Sequence, residues 1–453
     1  MRLFSSLLLL VSLVAVSIAA AAAATVRPNL LVILADDHGY GDVSAFRPQG
    51  DVRTPHIDRL AADGMLFTTM RANGTVCSPT RAALLTGRYA DRAGVPGVIR
   101  TQAANSFGHL APGLPTLANQ LRTAGYHTAL VGKWHLGLTT PNTPNERGFN
   151  FFHGFLGDMM DSYTTHLRHG NNYLRRNQEV ITAPGHATDL FTGWACDYLR
   201  ERAAAPEPFF LYLAYNAPHF PIEPPAAWLE RVRQRAPGME PARAANVALV
   251  EHFDDGIGRV LAALRETGLD RTTLVVFCSD NGGSLPHAQN NDPWRDGKQS
   301  HYEGGLRVPF IARWPGTIAA GSRSNYAGLT FDIFATCLEA AGVVRPAGLD
   351  AVSLLPILRG HPAPAGPRDL YFVRREGGPA YGGKAYHALI RGDWKLLQND
   401  PYSPLELYNL KDDPKEQTDV IAQHQEIARE MQASLSVHIQ RGGATPWQGP
   451  DLR

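Results

Sequence analysis

Leu30-Leu31-Val32-Ile33-Leu34-Ala35 runs directly into Asp36-Asp37-His38-Gly39-Tyr40-Gly41-Asp42, and this abrupt change of character decides the fold. A short continuous apolar run suits a strand buried on both faces, as in a parallel sheet. The acids and glycines then fall at its C-terminal end. Three more runs repeat the pattern. Thr128-Ala129-Leu130-Val131-Gly132 gives way to Lys133-Trp134-His135, residues 209–215 to Asn216-Ala217-Pro218-His219, and residues 273–277 to Ser279-Asp280-Asn281-Gly282-Gly283. Helical spacing over 55–63, 114–124 and 244–265 separates the runs, so mostly parallel order is expected. Ligands of an open α/β sheet bind at the C-terminal strand edge. Asp36, Asp37, Lys133, His135, His219, Asp280 and Asn281 are therefore expected along one edge of one sheet.

A second stretch, Cys77-Ser78-Pro79-Thr80-Arg81, continues as Ala82-Ala83-Leu84-Leu85-Thr86-Gly87-Arg88. Ser78 is the expected N-cap and Pro79 the first helical residue, with Gly87 ending the helix. Cys77 then sits just before the helix start, where unpaired N–H groups favour negative charge, and Arg81 adds a cation one turn on. Asp36, Asp37, Asp280 and Asn281 offer only oxygen donors, which suits one Ca2+ (or Mg2+) rather than zinc. Acids crowded at one edge also call for a cation. Lys133, Lys298 and Arg81 can surround a tetrahedral anion, while His135 and His219 can move protons near neutral pH. Lys298 lies in Asp296-Gly297-Lys298, ahead of Tyr302-Glu303-Gly304-Gly305 and Arg307-Val308-Pro309-Phe310.

The 453 residues carry a net charge of +1, so the chain has no nucleic-acid footprint, and 44% hydrophobic content supplies a sizeable core. Arg2, the apolar residues 7–18 and the small residues 19–24 read as a signal peptide (1–24) cleaved near Ala24. Export to the periplasm or medium is expected, with no stable membrane association. Cys77, Cys196, Cys278 and Cys337 suggest no disulfide framework, and Cys278 reads as core. Residues 137–189, rich in Gly, Asn, His and Tyr, read as insertion loops. Their His153, Asp158, Asp161, Tyr163, His166 and His169 are candidate substrate contacts. Beyond about 340 the character changes: a short helix at 353–358, then short strands at 369–374, 388–391, 394–397 and 405–410, and a last helix at 417–439. The expected organisation is an α/β domain at 25–345 and a C-terminal subdomain at 346–453 with a small antiparallel sheet.

The order Cys-x-Pro-x-Arg resembles the signature of the type I sulfatases of the alkaline-phosphatase superfamily. The other motifs follow the same family in order: Asp36 to Asp42, Gly132-Lys133-Trp134-His135-Leu136-Gly137, Ala217-Pro218-His219, Ser279 to Gly283 and Gly297-Lys298. The tail, with Arg391-Gly392-Asp393-Trp394-Lys395-Leu396 and Glu406-Leu407-Tyr408-Asn409-Leu410, is similar to the family's C-terminal subdomain. The resemblance implies a large, mostly parallel mixed sheet sandwiched by helices. It also implies that a maturation enzyme converts Cys77 to Cα-formylglycine, and that Asp36, Asp37, Asp280, Asn281 and residue 77 bind one Ca2+. One hydroxyl of the hydrated aldehyde would attack sulfur, with Lys133, Lys298 and Arg81 stabilising charge. His219 would protonate the leaving alcohol, and His135 would deprotonate the second hydroxyl to expel sulfate. The pattern looks most like the arylsulfatase A and N-acetylgalactosamine-6-sulfatase groups, which implies a sulfated carbohydrate substrate. Two other readings stand beside it: a formylglycine-dependent phosphodiesterase or phosphonate monoester hydrolase, and a non-catalytic glycan-binding protein with an unmodified Cys77.

Overall fold

The computed structural model describes residues 27–363, 366, 368–376 and 384–447, so the expected signal peptide lies outside the described residues. The strands are β1 (Asn29–Ala35), β2 (Met65–Phe67), β3 (His127–Lys133), β4 (Phe151–Phe155), β5 (Leu167–Arg168), β6 (Asn171–Asn172), β7 (Leu174–Arg176), β8 (Glu179–Val180), β9 (Phe209–Ala214), β10 (Thr273–Ser279), β11 (Phe310–Arg313), β12 (Ser322–Ser324), β13 (Asp369–Glu376), β14 (Lys384–Arg391), β15 (Trp394–Gln398) and β16 (Glu406–Asn409). Ten of them form one sheet in the order β12-β2-β11-β10-β1-β9-β3-β4-β7-β8.

β1 lies between β10 and β9, parallel to both, and β3 and β4 extend the parallel run. All seven of its residues are buried. Leu30, Val32 and Leu34 pack on one face with Leu84, Leu85, Leu117 and Phe334. Leu31, Ile33 and Ala35 pack on the other with Ile57, Phe191, Phe253 and Ile257. Helices cover both faces, which is why the run is apolar at every position. Gly132 in β3 has φ +107°, and a Cβ there would meet the Ala214 carbonyl oxygen at 1.9 Å, so only glycine fits before Lys133.

Several expectations change. Residues 137–189 are more than loops: β4 joins the main sheet through parallel pairing with β3, and β7 and β8 extend it. Ser78 is not the cap. The helix spans Cys77–Thr86 after Val76, so Cys77 is its first residue, and Ser78 Oγ instead accepts from the Ile99 N–H. Gly87 does end it, at φ 65°. The last helix starts at Gln425 rather than 417, because the Asp413 carboxylate holds the 417 and 418 N–H groups in a turn.

β13 to β16 form a separate antiparallel sheet in sequential order. Leu370, Phe372, Leu389 and Leu396 share a core with Tyr89, Leu306 and Phe331 of the α/β unit. No helix among the described residues is long and apolar enough to cross a membrane.

Candidate active site

All ten expected site residues meet at the C-terminal edge of the parallel strands or directly above it. Asp36 and Asp37 leave β1, Lys133 ends β3, His135 follows it, His219 follows β9, and Asp280 and Asn281 follow β10. Strand register alone brings the two acidic pairs together: Ala35 pairs with Ser279, and the Asp37 N–H donates to Asp280 Oδ1 at 3.1 Å. The Cys77 helix approaches from above with Cys77 and Arg81, and the loop after β10 returns Lys298.

Three carboxylates are matched by three cations. Lys133 Nζ donates to Asp36 Oδ2 at 2.5 Å, and Lys298 Nζ to Asp37 Oδ2 at 2.7 Å. Arg81 donates to Asp280 Oδ2 from Nε (3.0 Å) and Nη2 (2.8 Å). Carboxylate crowding is thus relieved by the chain's own cations, not left open as the sequence suggested. Arg81 and Lys133 are fully buried behind the cleft wall, and of the three cations only Lys298 lines the cleft.

The unsatisfied atoms are what favour a metal. Asp36 Oδ1 and Asn281 Oδ1 are buried and accept no hydrogen bond, and the nearest charge contact of Asp36 Oδ1 is Arg81 Nη2 at 3.5 Å. A buried acceptor without a donor is costly, and a hard cation satisfies it. Asp36, Asp37, Cys77 and His219 each bring a donor atom within 4.8 Å of the others, whereas Asp280 lies outside that group with its oxygens on the Asp37 N–H and Arg81. The residues present therefore fit Ca2+, and Mg2+ shares the same donor preference. Asp37 and His135 hold positive φ (63° and 61°), strain of the kind found where function fixes the backbone.

Cys77 is only 3% exposed at this helix start. Its Sγ lies 3.9 Å from Asp37 Oδ1 and 3.8 Å from Lys298 Nζ. Burial, reinforced by Asp36, pushes its thiol well above the usual range, so the unmodified group is a poor nucleophile.

Both histidines have a tautomer fixed by a carbonyl. His135 donates from Nε2 to the Ile99 carbonyl at 2.7 Å, which leaves Nδ1 bare, buried and without a partner. His219 donates from Nδ1 to the Phe220 carbonyl at 2.6 Å, so its bare Nε2 accepts from Lys298 Nζ at 3.1 Å. Burial, then Lys298, brings His219 down to about 4, and burial, then Lys133 and Arg81, holds His135 well below its ordinary value. Burial and the neighbouring Asp36 carry Asp280 up to about 7. In Asp36 burial works the same way, but Lys133, ahead of His219 and Arg81, more than offsets it and holds that carboxyl well down.

Above this floor opens a cleft of about 200 Å³ that includes Cys77, His135, His219 and Lys298. Asp158 is the one loop candidate that lines it. Tyr163 is buried and donates to the Asn216 and His219 carbonyls, His153 stacks on Trp194 at 3.5 Å, His166 contacts the Gly185 carbonyl, and Asp161 binds Arg168 and the His169 N–H. Arg100, Arg168, Arg374, Gln299 and Phe220 complete the wall and were missed. Phe220 could have been read from its place beside His219, but the arginines carry no local signal.

Comparison with known proteins shows the family. The family model described as "Sulfatase" matches residues 28–343. The chain belongs to the sulfatase family. A second model, "N-sulphoglucosamine sulphohydrolase, C-terminal", matches residues 293–441 of this sulfatase. Among curated proteins, the N-acetylgalactosamine-6-sulfatase of Rattus norvegicus is 35% identical over 366 residues, 75% of this chain and 68% of that protein. The steryl-sulfatase of Homo sapiens is 29% identical over 420 residues, 74% of this chain and 70% of that protein. Among solved structures, that of Ps i-CgsB in complex with k-i-k-neocarrahexaose superposes with a TM-score of 0.85 at 28% identity, covering 94% of this chain and 96% of the other. This sulfatase is a sulfuric ester hydrolase of the type I group in the alkaline-phosphatase superfamily, with the alkaline-phosphatase-like fold.

Proposed function

We propose that this sulfatase is an exported enzyme that cleaves sulfate esters of a carbohydrate, using Cα-formylglycine made from Cys77 by a maturation enzyme together with one bound Ca2+. One observation carries the reading: Cys77 lies on the cleft floor against Asp37 and Lys298, with two histidines of opposite reach in the same wall. The hydrated aldehyde supplies two hydroxyls on one carbon, one for attack on sulfur and one whose deprotonation releases sulfate. Asp36, Asp37, Asp280 and Asn281 would hold the cation with residue 77, and its charge would stabilise the transferring group.

The side chains divide the remaining work. Three carboxylates and three cations leave the cluster neutral, so a divalent cation makes it doubly positive and suited to a sulfuryl anion. His135, with Nδ1 bare and its ring anchored on Ile99, is placed to take a proton as base. His219 Nε2 and Lys298 Nζ share a hydrogen bond, so the proton for the leaving alcohol is held by the pair rather than by the imidazole alone. The N-acetylgalactosamine-6-sulfatase and neocarrahexaose-bound relatives support a sulfated galactose- or galactosamine-type glycan.

A formylglycine-dependent phosphodiesterase or phosphonate monoester hydrolase remains the competing chemistry. Among the described residues, the second group of potential metal ligands, His186, Asp189 and His252, shares no residue with the cleft, which favours the one-metal sulfate reading. The deciding experiment measures sulfate release by enzyme verified as formylglycine at position 77. Substrates are galactose and galactosamine oligosaccharides sulfated at the 6-, 4- or 2-position, with an aryl sulfate and an aryl phosphodiester as controls. Release from the sugars, led by the 6-sulfate, is expected. Faster diester hydrolysis overturns the reading.

A further inference from the structure

One end of the cleft wall holds two guanidiniums on a single carboxylate, a local positive charge that one sulfate ester does not explain. Arg100, Arg168, Arg374 and Lys298 line the wall with Asp158, while Asp161 also pairs with Arg168 and Glu376 serves both Arg100 and Arg374. A sulfate ester brings one negative charge, and the cluster beneath the cleft, doubly positive with a divalent cation, would already answer that charge.

The three arginines differ in how they are held. Arg168 donates to Asp158 from Nε and Nη2 (3.0 and 3.3 Å) and to Asp161 from Nη1 (2.9 Å). With two carboxylates on it, this group offers balanced donors and acceptors suited to sugar hydroxyls. Arg100 and Arg374 come from distant parts of the chain, the loop after the Cys77 helix and β13. Glu376 bridges them, accepting from Arg100 Nη2 at 2.6 Å and Arg374 Nε at 2.7 Å. Glu376 itself does not line the cleft, so it orients the two guanidiniums from behind. Arg374 is only 2% exposed, and Gln299, next to Lys298, accepts from its Nη1 at 3.3 Å.

A second hollow of about 530 Å³ shares Arg100 with the catalytic cleft and continues over Leu110, Leu136 and Leu138. Arg100 thus stands between the scissile site and the space beyond it. A neutral sugar bound here would displace water from guanidiniums and offer them hydroxyl oxygens but no charged acceptor, the stronger partner. A carboxylate or sulfate supplies one, and the planar guanidinium fork matches either.

We propose that Arg100 and Arg374 form a specificity site for a second anionic group, so that the preferred substrate is a sulfated glycan with a carboxylate or further sulfate close to the scissile ester. This rests on the carbohydrate-sulfatase reading above and names its substrate class. The test compares kcat/KM, for enzyme verified as formylglycine at position 77, on three matched oligosaccharides: one monosulfated and otherwise neutral, one with an added uronate carboxylate, and one with an added second sulfate. At least one anionic substrate is expected to exceed the neutral one by about tenfold or more, chiefly through KM, and the better arm identifies the group. In Arg100→Gln this ratio is expected to fall towards one, with partial rescue in Arg100→Lys and weakening of the wild-type ratio in salt. Arg374→Gln should act in the same way. Because that residue is buried, Arg100→Gln keeps the test decisive should Arg374→Gln misfold. Sulfate release from all three substrates at similar kcat/KM, or a ratio that survives Arg100→Gln, overturns this proposal while the carbohydrate reading stands. No release from any of them ends both.

Discussion

Around Glu303, and again around Asp36, this chain buries carboxylates among arginines and lysines, but the two clusters are finished differently. Glu303 accepts from Arg71, Arg307 and Lys395, so both its oxygens are taken, and its own N–H donates to Glu416 Oε2. Glu416 Oε1 lies 2.7 Å from Lys395 Nζ, in charge contact though off the hydrogen-bonding angle. The cluster ties β15 to the α/β unit. Around Asp36 three carboxylates meet three cations, yet Asp36 Oδ1 and Asn281 Oδ1 accept nothing, Asp37 and His135 are strained, and a cleft opens above. Equal burial among cations therefore does not mean equal purpose. Carboxylate oxygens each held close to a cation or an N–H mark the structural cluster, and orphaned oxygens beneath an open cleft mark the reactive one.

The largest test of this contrast is Cys77→Ala. Sulfate release is expected to fall by at least about 10⁴-fold, since the attacking group is gone. The fold should survive at a cost on the order of 1 kcal/mol, because one buried sulfur is lost. Retained turnover would remove Cys77 from the chemistry, and a chain that fails to fold would make it a core residue instead.

Acid probes both clusters together. Burial, aided by nearby cations, holds His135 and His219 in one, and His301 beside the other, below the ordinary histidine value. The folded protein then binds fewer protons than the unfolded chain, so this stability is present above about pH 6.5 and lost as pH falls towards 4. For His219 alone it is on the order of 3 kcal/mol. Asp254 and Asp280, both raised to about 7, oppose it, since their contribution grows as pH falls through the same window. The histidines outnumber them, with His186 and His387 also near 4. Urea midpoints should be clearly lower at pH 5 than at pH 7.5; an equal or higher value at pH 5 would defeat this account.

Glu303→Gln separates the clusters by stability. Removing the charge that three cations share should cost about 3–5 kcal/mol in urea unfolding. A loss under about 1 kcal/mol would show the closed cluster to be dispensable. Calcium separates them by ligand. At a hundredfold over its Kd, Ca2+ should stabilise the protein by about 2.7 kcal/mol. Asp36→Asn should abolish that gain, and an undiminished gain would place the ion elsewhere.

Much of this was legible in the sequence because strand ends are local signals. Each apolar run announced its own terminus, and β1, β3, β9 and β10 deliver their polar residues to one edge. The short strands β2, β11 and β12 were not seen, since three or four residues carry too little periodicity. Burial of Cys77 escaped for a different reason: the segment around Val98 to Arg100 that covers it is far away in any local pattern. Arg100 and Arg374 became part of the site only through Glu376, a contact 276 residues away from Arg100. Such long-range pairing leaves no mark on either stretch.

The register that joins Ala35 to Ser279 also sets a clock. Asp37 and Asp280 are 243 residues apart, and at roughly 5–20 residues per second the second is made some ten to fifty seconds after the first. Through that interval β1, buried on both faces in the finished sheet, has no β10 to pair with, and β9 itself arrives only with residues 209–214. The nascent chain thus carries β1 without β9 until residues 209–214 are made and without β10 until residues 273–279 are made. A release of the chain just before residue 273 should therefore give an insoluble product, and the same placement that builds the reactive edge makes this protein dependent on protection during synthesis.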